Sequence, residues 1–352
     1  MQSDRVNAAT LRCCTSVRTR KDPHVVADPV RSAAALLTDA RDVTLLAHVQ
    51  PDADSLGSAL ALGIALRRRG AVVRVSFATP DSVPETLRPL DVLGLVVPPS
   101  EVPARPELLV ACDAAEPSRL GSLRHLLDAA GTTVMIDHHR SNPGFGDVRV
   151  LDPHAEATVV LAHRVLRAMS VPLDPDVARC LYAGLVTDTR GFRTAGADAH
   201  RMAAELIEAG VDPEGLIRPI MDTHPFDWLA ALGSVLARSV LEPAEAGGLG
   251  LVHTRVEARD VARFRTEEVD RIVDVIRTTA EAEVAVALKQ VGDRRWSVSL
   301  RSKGAVDVAA AAGLVGGGGH SAAAGATLDG TADEVLDALR AALAPATAAR
   351  AG

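Results

Sequence analysis

Aromatic residues are scarce in this chain, and their scarcity limits the ligands that it can hold. Phe, Trp and Tyr together make up 2% of the 352 residues. Proteins that hold long single strands of nucleic acid stack the bases on aromatic side chains. The formal net charge of −7 also argues against a broad basic surface for polyanions. The composition therefore argues against long nucleic acid, including long duplexes, and leaves a short piece in a local basic pocket as the alternative.

Cysteines and long apolar runs are also few. Cys13, Cys14, Cys112 and Cys180 form no CxxC pair. A chain of this length needs no disulfides to fold, so we expect reduced thiols and a cytoplasmic protein. No apolar run reaches the roughly 18 residues of a membrane span, so we expect no membrane partner. Residues 1–28 lack the apolar core of a secretory signal, and we predict a flexible extension there.

The chain from about residue 29 alternates strand-like and helix-like segments. Short runs rich in β-branched residues predict strands, and longer amphipathic segments predict helices. This alternation is typical of an α/β fold with a mostly parallel sheet flanked by helices. The predicted strands are Val43–Ala47, Val72–Phe77, Leu93–Val97, Leu108–Cys112 and Thr132–Ile136. The predicted helices are Val30–Ala40, Ser55–Arg69, Glu156–Met169 and Pro175–Val186.

A smaller C-terminal α/β domain is predicted after a helical linker. We place the first domain at residues 29–200, the linker at 201–235 and the second domain at 236–345. Helices at Ala199–Gly210 and Pro225–Val240 would join the two domains. The second domain is predicted to contain strands at Gly250–Thr254, Val284–Lys289 and Trp296–Arg301, with helices at Glu267–Thr278 and Ala332–Leu343.

Histidines and aspartates follow several of the predicted strands. Ligand sites in parallel sheets lie beyond the carboxyl ends of the strands, so we expect these side chains to converge. A two-metal hydrolase needs a bridging carboxylate, terminal carboxylates and imidazoles around its cations. The chain offers such a set of six in His48, Asp52, Asp54, Asp113, His138 and Asp188.

Together with a glycine-rich segment near the C-terminus, these motifs resemble the DHH phosphoesterase superfamily. The segment Gly316-Gly-Gly-Gly-His320-Ser-Ala-Ala-Ala-Gly325 is similar to the signature of the DHH-associated C-terminal domain. The motifs occur in the family's order over roughly residues 30–345. The resemblance implies that the first domain is the catalytic DHH domain and that the second binds substrate.

The resemblance also implies a role for each metal-site residue. His48, Asp52 and Asp113 would hold one cation, while Asp54, Asp113, His138 and Asp188 would hold the other. Two Mn²⁺ ions are expected, with Mg²⁺ or Co²⁺ as alternatives, because mixed carboxylate and imidazole ligation suits them. The implied catalytic residues are Asp113, which would bridge the cations, His139, which would contact the phosphate or transfer a proton, and Asp137, which would orient an imidazole.

The second domain is expected to grip the far end of the substrate. Arg301 and Ser302 would bind a terminal phosphate. The backbone N–H groups of Gly317, Gly318 and Gly319 would approach a phosphate or nucleotide closely, and His320 would add a charge or a hydrogen bond. One departure stands out, since Arg190 follows Thr189 where relatives often have glycine.

Within the superfamily, the chain resembles the branch that hydrolyses short oligonucleotides. Those enzymes act on nanoRNA, on pApA or cyclic di-AMP, and on 3′-phosphoadenosine 5′-phosphate (pAp), and they are expected to be homodimers. A single-strand exonuclease would need a longer chain and a wider basic groove. A manganese inorganic pyrophosphatase would carry a Lys/Arg-rich signature in place of the glycines. A non-catalytic nucleotide sensor would have lost metal ligands, whereas all six are present.

Overall fold

The computed structural model describes residues 28–261 and 264–346. The extension predicted over residues 1–28 therefore lies, apart from Asp28, outside the described residues. Within the described ranges no helix is both long and apolar enough to cross a membrane.

The N-terminal part of the fold is a parallel five-stranded sheet in the order β2-β1-β3-β4-β5. Its strands are β1 (Asp42–Leu46), β2 (Val72–Ser76), β3 (Leu108–Cys112), β4 (Thr132–Asp137) and β5 (Val148–Leu151). Its helices are α1 (Pro29–Asp39), α2 (Ala53–Arg68), α3 (Leu126–Ala129), α4 (Thr158–Ala168) and α5 (Pro175–Asp188). Short 3-10 helices lie at Glu85–Leu90, Pro99–Glu101 and Pro117–His125.

Side chains alternate between the two faces of this sheet along each strand, and both faces are covered by other parts of the chain. Leu108 and Val110 of β3 join a core formed with α1, α2, α4 and α5. Leu109 and Ala111 point to the other face and pack against Leu120 and its neighbours before α3. Burial on both faces explains why these strands read as continuous apolar runs rather than as alternating patterns.

Helix α2 forms the centre of this part of the molecule. Every residue from Ala53 to Leu66 is buried, because the helix lies between the sheet and α5. It begins at Ala53, two residues before the predicted start, because the Asp52 side chain accepts hydrogen bonds from the N–H groups of Asp54 and Ser55 and so serves as the N-cap.

Three helices connect the first sheet to the second. They are α6 (Ala197–Glu208), α7 (Pro213–Met221) and α8 (Phe226–Leu236). Only two were predicted, and α7 was missed because it is short and contains Pro219. The boundaries proposed for the linker and the two domains stay predictions.

The second sheet is mixed and has the order β10-β11-β9-β8-β7-β6. Its strands are β6 (Val240–Glu242), β7 (Leu251–Val256), β8 (Val284–Gly292), β9 (Arg295–Ser302), β10 (Gly318–His320) and β11 (Ala323–Asp329). The helices are α9 (Glu245–Gly248), α10 (Ala258–Val261), α11 (Thr266–Asp270), α12 (Ile272–Ile276), α13 (Val308–Leu314) and α14 (Ala332–Ala346). Helices α13 and α14 cover one face, and α12 covers part of the other.

The structure confirms the α/β class and differs from the predicted elements at several places. The apolar run Leu93–Val97 forms no strand and pairs with β2 through a single bridge between Val96 and Val75. The predicted helix Glu267–Thr278 is divided into α11 and α12. Strands β5, β6, β10 and β11 were not predicted, since they are short or rich in glycine and alanine.

Candidate active site

The order of the strands in the first sheet locates the candidate site. The chain reverses its winding between β1 and β3, and doubly wound sheets bind ligands beyond the carboxyl ends of the strands at that point. Asp113 follows β3 directly, Asp137 is the last residue of β4, and Asp188 is the last residue of α5. The structure brings the six predicted metal ligands together in this crevice.

One group of ligands forms around His48. Its Nε2 lies 3.6 Å from Oδ2 of Asp52 and 3.5 Å from Oδ2 of Asp113. The other ring nitrogen, Nδ1, donates to the carbonyl oxygen of Val49 at 2.8 Å. This hydrogen bond selects the tautomer in which Nε2 presents a lone pair toward the carboxylates, as a metal-binding histidine requires.

A second group forms around His138. Its Nε2 lies 3.9 Å from Oδ2 of Asp54, 3.7 Å from Oδ1 of Asp113 and 3.5 Å from Oδ2 of Asp188. Nδ1 of His138 donates to the carbonyl oxygen of Ala155 at 3.0 Å. The two histidines are thus oriented by the same device, a backbone carbonyl that holds the ring nitrogen farther from the site.

Asp113 lies between the two groups. Its Oδ2 faces His48 and its Oδ1 faces His138, so the carboxylate spans the centre in the orientation that a bridging ligand needs. The hydroxyl of Thr158 donates to Oδ1 at 2.7 Å. The backbone of Asp113 has φ 58°, a left-handed conformation that side chains rarely adopt outside strained or functional positions.

Asp54 is held by the first turn of α4. Its Oδ2 accepts from the N–H of Thr158 at 2.7 Å and its Oδ1 from the N–H of Val159 at 2.8 Å. These N–H groups have no partner within the helix, and they carry the positive end of its dipole. Asp54 therefore caps α4 from another element while one of its oxygens also faces His138.

The carboxylates of the site are crowded and largely buried. Burial raises the pKa of Asp54 well above its usual range, and the charges of Asp113 and Asp188 raise it further. Burial and Asp113 also raise the pKa of Asp188 to about 7, although His138 opposes the shift. Burial alone would lower the pKa of His48, but Asp52 and Asp113 raise it to about 10. Without a counter-ion the cluster favours extra protons.

This donor set fits divalent cations. His48, Asp52 and Asp113 form one group of potential ligand atoms within 4.8 Å of one another, and Asp54, Asp113 and His138 form another. Carboxylate oxygens and imidazole nitrogens suit Mn²⁺ and similar cations. Bound cations would also neutralise the carboxylates whose mutual repulsion raises the pKa of Asp54.

His139 is positioned by Asp137. Oδ1 of Asp137 accepts from Nδ1 of His139 at 2.7 Å and from its backbone N–H at 3.0 Å. The other oxygen, Oδ2, accepts from the side-chain amide of Asn142. Burial would lower the pKa of His139, but the hydrogen bond to Asp137 and the charge of Asp113 raise it. Asp137 thus fixes the imidazole and favours its charged form.

The second domain reaches this centre through His320. Its ring stacks on that of His139, with the centroids 4.1 Å apart, and lies 5.2 Å from the ring of His138. Burial and the charges of His139 and His138 lower the pKa of His320 to about 4. His320 is therefore neutral near pH 7 and offers a hydrogen bond rather than a charge.

The glycines before His320 have different surroundings. A Cβ on Gly317 would lie 2.2 Å from the carbonyl oxygen of Gly325, and one on Gly319 would lie 2.7 Å from Cα of Ala324. Gly319 also has φ 140°. Only Gly318 of the three faces open space. Gly317 and Gly319 are thus needed because larger residues would clash with β11. Of the three glycines, only Gly318 leaves open space beside its backbone for the predicted phosphate.

Arg301 and Ser302 are not presented together as the sequence suggested. Adjacent residues of a strand point to opposite faces, and they lie at the end of β9. Ser302 is buried, and its hydroxyl donates to Oε1 of Glu283 at 2.9 Å. Arg301 lies on the other face, with Nε 3.2 Å from Oδ1 of Asp274. The structure thus places the two side chains on opposite faces of β9, and their contact with a terminal phosphate stays a prediction.

Two residues that hold the site were missed in the sequence. Thr158 contacts Asp113, and its backbone contacts Asp54, while Asn142 holds Asp137. The spacing Asp137-His-His-Arg-Ser-Asn142 is a local signal that could have indicated Asn142. Thr158 could not be found locally, because its partners lie 45 and 104 residues away.

Comparisons with known proteins identify the family. The DHH family, N-terminal domain, matches residues 42–185, and the DHHA1 domain matches residues 253–345. The bifunctional oligoribonuclease and PAP phosphatase NrnA of Thermus thermophilus is 33% identical, over 85% of this chain and 89% of the relative. The chain belongs to the DHH phosphoesterase family. It is therefore a hydrolase of phosphoester bonds, as the motifs predicted.

Further relatives of this DHH phosphoesterase are more distant. Cyclic-di-AMP phosphodiesterase GdpP of Geobacillus thermodenitrificans is 25% identical over 93% of this chain but only 50% of the relative. An exopolyphosphatase-related protein from Bacteroides fragilis has a TM-score of 0.79 at 20% identity, covering 91% of this chain and 96% of that one. The last comparison confirms the two-part α/β fold.

Proposed function

We propose that this DHH phosphoesterase uses two Mn²⁺ ions to hydrolyse short oligonucleotides and dinucleotides such as pApA to mononucleotides, and pAp to AMP and phosphate. The observation that carries the proposal is the meeting of the two domains at one point. His320 of the second domain stacks on His139 beside the six metal-ligand candidates. A site covered in this way favours a short substrate over a chain that continues in both directions.

The names of relatives support the same substrate class. The relative from Thermus thermophilus is named as both an oligoribonuclease and a PAP phosphatase. A probable enzyme of the same name from Streptococcus mutans is 26% identical over 79% of this chain. Cyclic di-AMP is a second candidate substrate, favoured by the match of nearly the whole chain to GdpP.

We assign the ligands as follows. His48, Asp52 and Asp113 would hold one cation, and Asp54, Asp113, His138 and Asp188 would hold the other. When bound, the cations would supply an activated water and neutralise charge on the phosphate. The assignment of Asp113 to both cations is supported by its two oxygens, which face the two histidines.

His139 and Asp137 would act on the phosphate and on its leaving group. Asp137 holds Nδ1 of His139, so the imidazole keeps one orientation and a raised pKa. A charged imidazole can donate a hydrogen bond to a phosphate oxygen, or donate a proton to the departing ester oxygen, which then leaves as a hydroxyl. His320, neutral near pH 7, would contribute a hydrogen bond, and Arg301 would bind a phosphate farther from the reacting bond.

A substrate panel tests this proposal. Purified protein with Mn²⁺ is offered pApA, cyclic di-AMP, pAp, RNA of two to twelve nucleotides, single-stranded DNA and pyrophosphate. We expect EDTA-sensitive release of mononucleotides, fastest on di- to pentanucleotides. Preferred turnover of pyrophosphate or long DNA, or nucleotide binding without hydrolysis, would overturn the proposal.

The cellular location and the oligomeric state of the enzyme are also proposals. From the family resemblance we infer a cytoplasmic homodimer. Light scattering after size-exclusion chromatography checks the dimer, and a monomer at micromolar concentration would contradict it.

A further inference from the structure

The chain around the start of α4 holds several of the metal-ligand candidates without being a ligand itself. The carbonyl oxygen of Ala155 accepts from Nδ1 of His138 at 3.0 Å. The N–H groups of Thr158 and Val159 donate to the two oxygens of Asp54 at 2.7 and 2.8 Å. The backbone of this segment therefore orients one imidazole and one carboxylate at the same time.

The side chain of Thr158 adds a third ligand to this set. Its hydroxyl donates to Oδ1 of Asp113 at 2.7 Å, and this is the oxygen that faces His138. Thr158 is fully buried, so water does not compete for the bond. Three of the four residues assigned to one cation, namely Asp54, Asp113 and His138, are thus held from the segment Ala155–Val159.

This segment is itself fixed by its neighbours. The N–H of Ala155 donates to the carbonyl of Asp152 at 3.1 Å, and the N–H of Asp152 donates to the carbonyl of Asp137, the last residue of β4, at 3.3 Å. The side chain of Val159 is fully buried, and a Cβ on Gly184 of α5 would lie 2.5 Å from its Cγ1. Packing this close leaves the start of α4 no room to shift toward α5.

The two groups of ligand candidates differ in exposure. We call the group of His48, Asp52 and Asp113 the outer site, and the group of Asp54, Asp113, His138 and Asp188 the inner site. The side chains of Asp54 and His138 are 1% and 8% exposed, and that of Asp188 is 31% exposed. The side chain of Asp52 in the outer site is 56% exposed. Water therefore reaches the outer site more readily than the inner site.

We propose that the segment Ala155–Val159 preorganises the inner site, so that this site keeps its cation while the outer site exchanges its cation with the solution. The inference rests on the two-metal function proposed above, and it makes Thr158 a positioning residue that acts through Asp113. Ligands that are fixed before binding lose less conformational freedom when the cation arrives, so the affinity rises. The activity of the enzyme would then follow the supply of Mn²⁺ through the outer site.

Binding of Mn²⁺ to metal-free Thr158→Val, measured by isothermal titration calorimetry, tests this inference. Valine keeps the shape of threonine but cannot donate to Asp113. We expect the wild type to bind two cations with unequal affinity. Thr158→Val should weaken the tighter step about 10- to 100-fold, the usual effect of removing the partner of a metal ligand, and the weaker step by less than about threefold. Thr158→Ser keeps the hydroxyl and should match the wild type.

Two further variants serve as controls. Thr44→Val removes a fully buried hydroxyl that has no hydrogen-bond partner among the described residues, so both binding steps should match those of the wild type. Asp52→Asn removes a charge from the outer site alone, and asparagine can still cap α2. This variant should lose affinity in the weaker step only, which identifies that step with the outer site.

Three results would overturn the inference and leave the proposed function standing. They are two steps of equal affinity in the wild type, an unchanged tighter step or equal weakening of both steps in Thr158→Val, and loss of the tighter step in Asp52→Asn. A wild type that binds no Mn²⁺ and hydrolyses no substrate of the panel would refute the proposed function and this inference with it.

The wild type alone decides the question if circular dichroism shows that Thr158→Val does not fold. Crystals of the wild type prepared with one equivalent of Mn²⁺ should show the anomalous scattering of manganese at the inner site, between Asp54, His138 and Asp188. Scattering at the outer site, between His48 and Asp52, would overturn the inference.

Discussion

At the scale of single residues, Asp113 combines a strained backbone with the central position in the site. Its φ of 58° is disfavoured for most side chains, although Asp and Asn tolerate it better than others. A hydrogen bond stabilises this conformation at the end of β3, where the N–H of Asp113 donates to the carbonyl of Ile136 at 2.9 Å. The backbone therefore aims one carboxylate at both His48 and His138.

Asp113→Asn should remove activity while leaving the fold intact. Asparagine keeps the size of the side chain and tolerates the same backbone, but it removes one of the crowded negative charges. We expect kcat to fall by about a thousandfold or more, because the ligand between the cations is lost. Without metal, the variant should melt above the wild type, and Mn²⁺ should raise its melting temperature less. Calorimetry and a Mn²⁺ titration check both statements, and a metal-free variant that melts lower would contradict the argument from charge crowding.

Asp137→Asn tests how His139 is positioned. The amide removes the negative charge that holds Nδ1 of His139, so the ring loses its fixed orientation and its raised pKa. We expect kcat to fall about 10- to 100-fold, as for other partners of active-site histidines, with KM changed little. Steady-state kinetics on pApA measure both constants. A loss confined to KM would instead assign Asp137 to substrate binding.

The ligand types could be predicted at this scale, but their partners could not. The acids and histidines after β1, β3 and β4 were predictable because strand ends of a parallel sheet meet at one edge. The stacking of His320 on His139 depends on how the two domains face each other, which no local pattern encodes. The same holds for the bond between Ser302 and Glu283, which depends on the pairing of β8 with β9.

At the scale of elements, the hairpin formed by β10 and β11 carries His320 to the site. Strand β11 has the sequence Ala-Ala-Gly-Ala-Thr-Leu-Asp, which contains few good strand formers. It forms because it pairs along its whole length with β9, so tertiary contacts override its weak propensity. The sequence could therefore mark the glycines as unusual but could not show that they belong to a strand.

Alanine substitutions at Gly317, Gly318 and Gly319 should distinguish glycines that pack closely against β11 from one that faces open space. Gly317→Ala and Gly319→Ala place a Cβ within 3 Å of the backbone of β11, so β10 must shift and move His320 from His139. We expect each to lower kcat for pApA by at least about tenfold, since a misplacement of about 1 Å can reduce a rate a hundredfold. Gly318→Ala is the comparison variant, because its Cβ meets open space: a weakened phosphate contact at this position would raise KM, but kcat should stay close to that of the wild type. Equal effects of all three would refute this account of the hairpin.

At the scale of the whole molecule, the buried acids link stability to pH and metal. In the metal-free protein the pKa of Asp188 is raised to about 7 and that of His48 to about 10. As the pH rises, the folded state therefore keeps these protons to a higher pH than the unfolded state does. The stability from His48 is lost as the pH rises above its unfolded value of about 6.5, and that from Asp188 as the pH rises from about 4 toward 7.

Melting temperature against pH measures this linkage. For the metal-free protein we expect a rise of a few degrees as the pH falls from 8.5 to 6. Because metal ligands must lose their protons, the gain from saturating Mn²⁺ should be greatest at the alkaline end. Asp188→Asn should flatten the metal-free profile in the lower part of this range. A metal-free melting temperature that falls between pH 8.5 and 6 would show that groups outside the site dominate.

The stacked rings of His139 and His320 also have a consequence for turnover. Their centroids are 4.1 Å apart, which leaves no room for a phosphate or a base between them. A substrate group that binds against the face of His139 covered by His320 would therefore require the hairpin tip to move outward. The rate of that opening would then set an upper limit on kcat, whatever the speed of the chemical step.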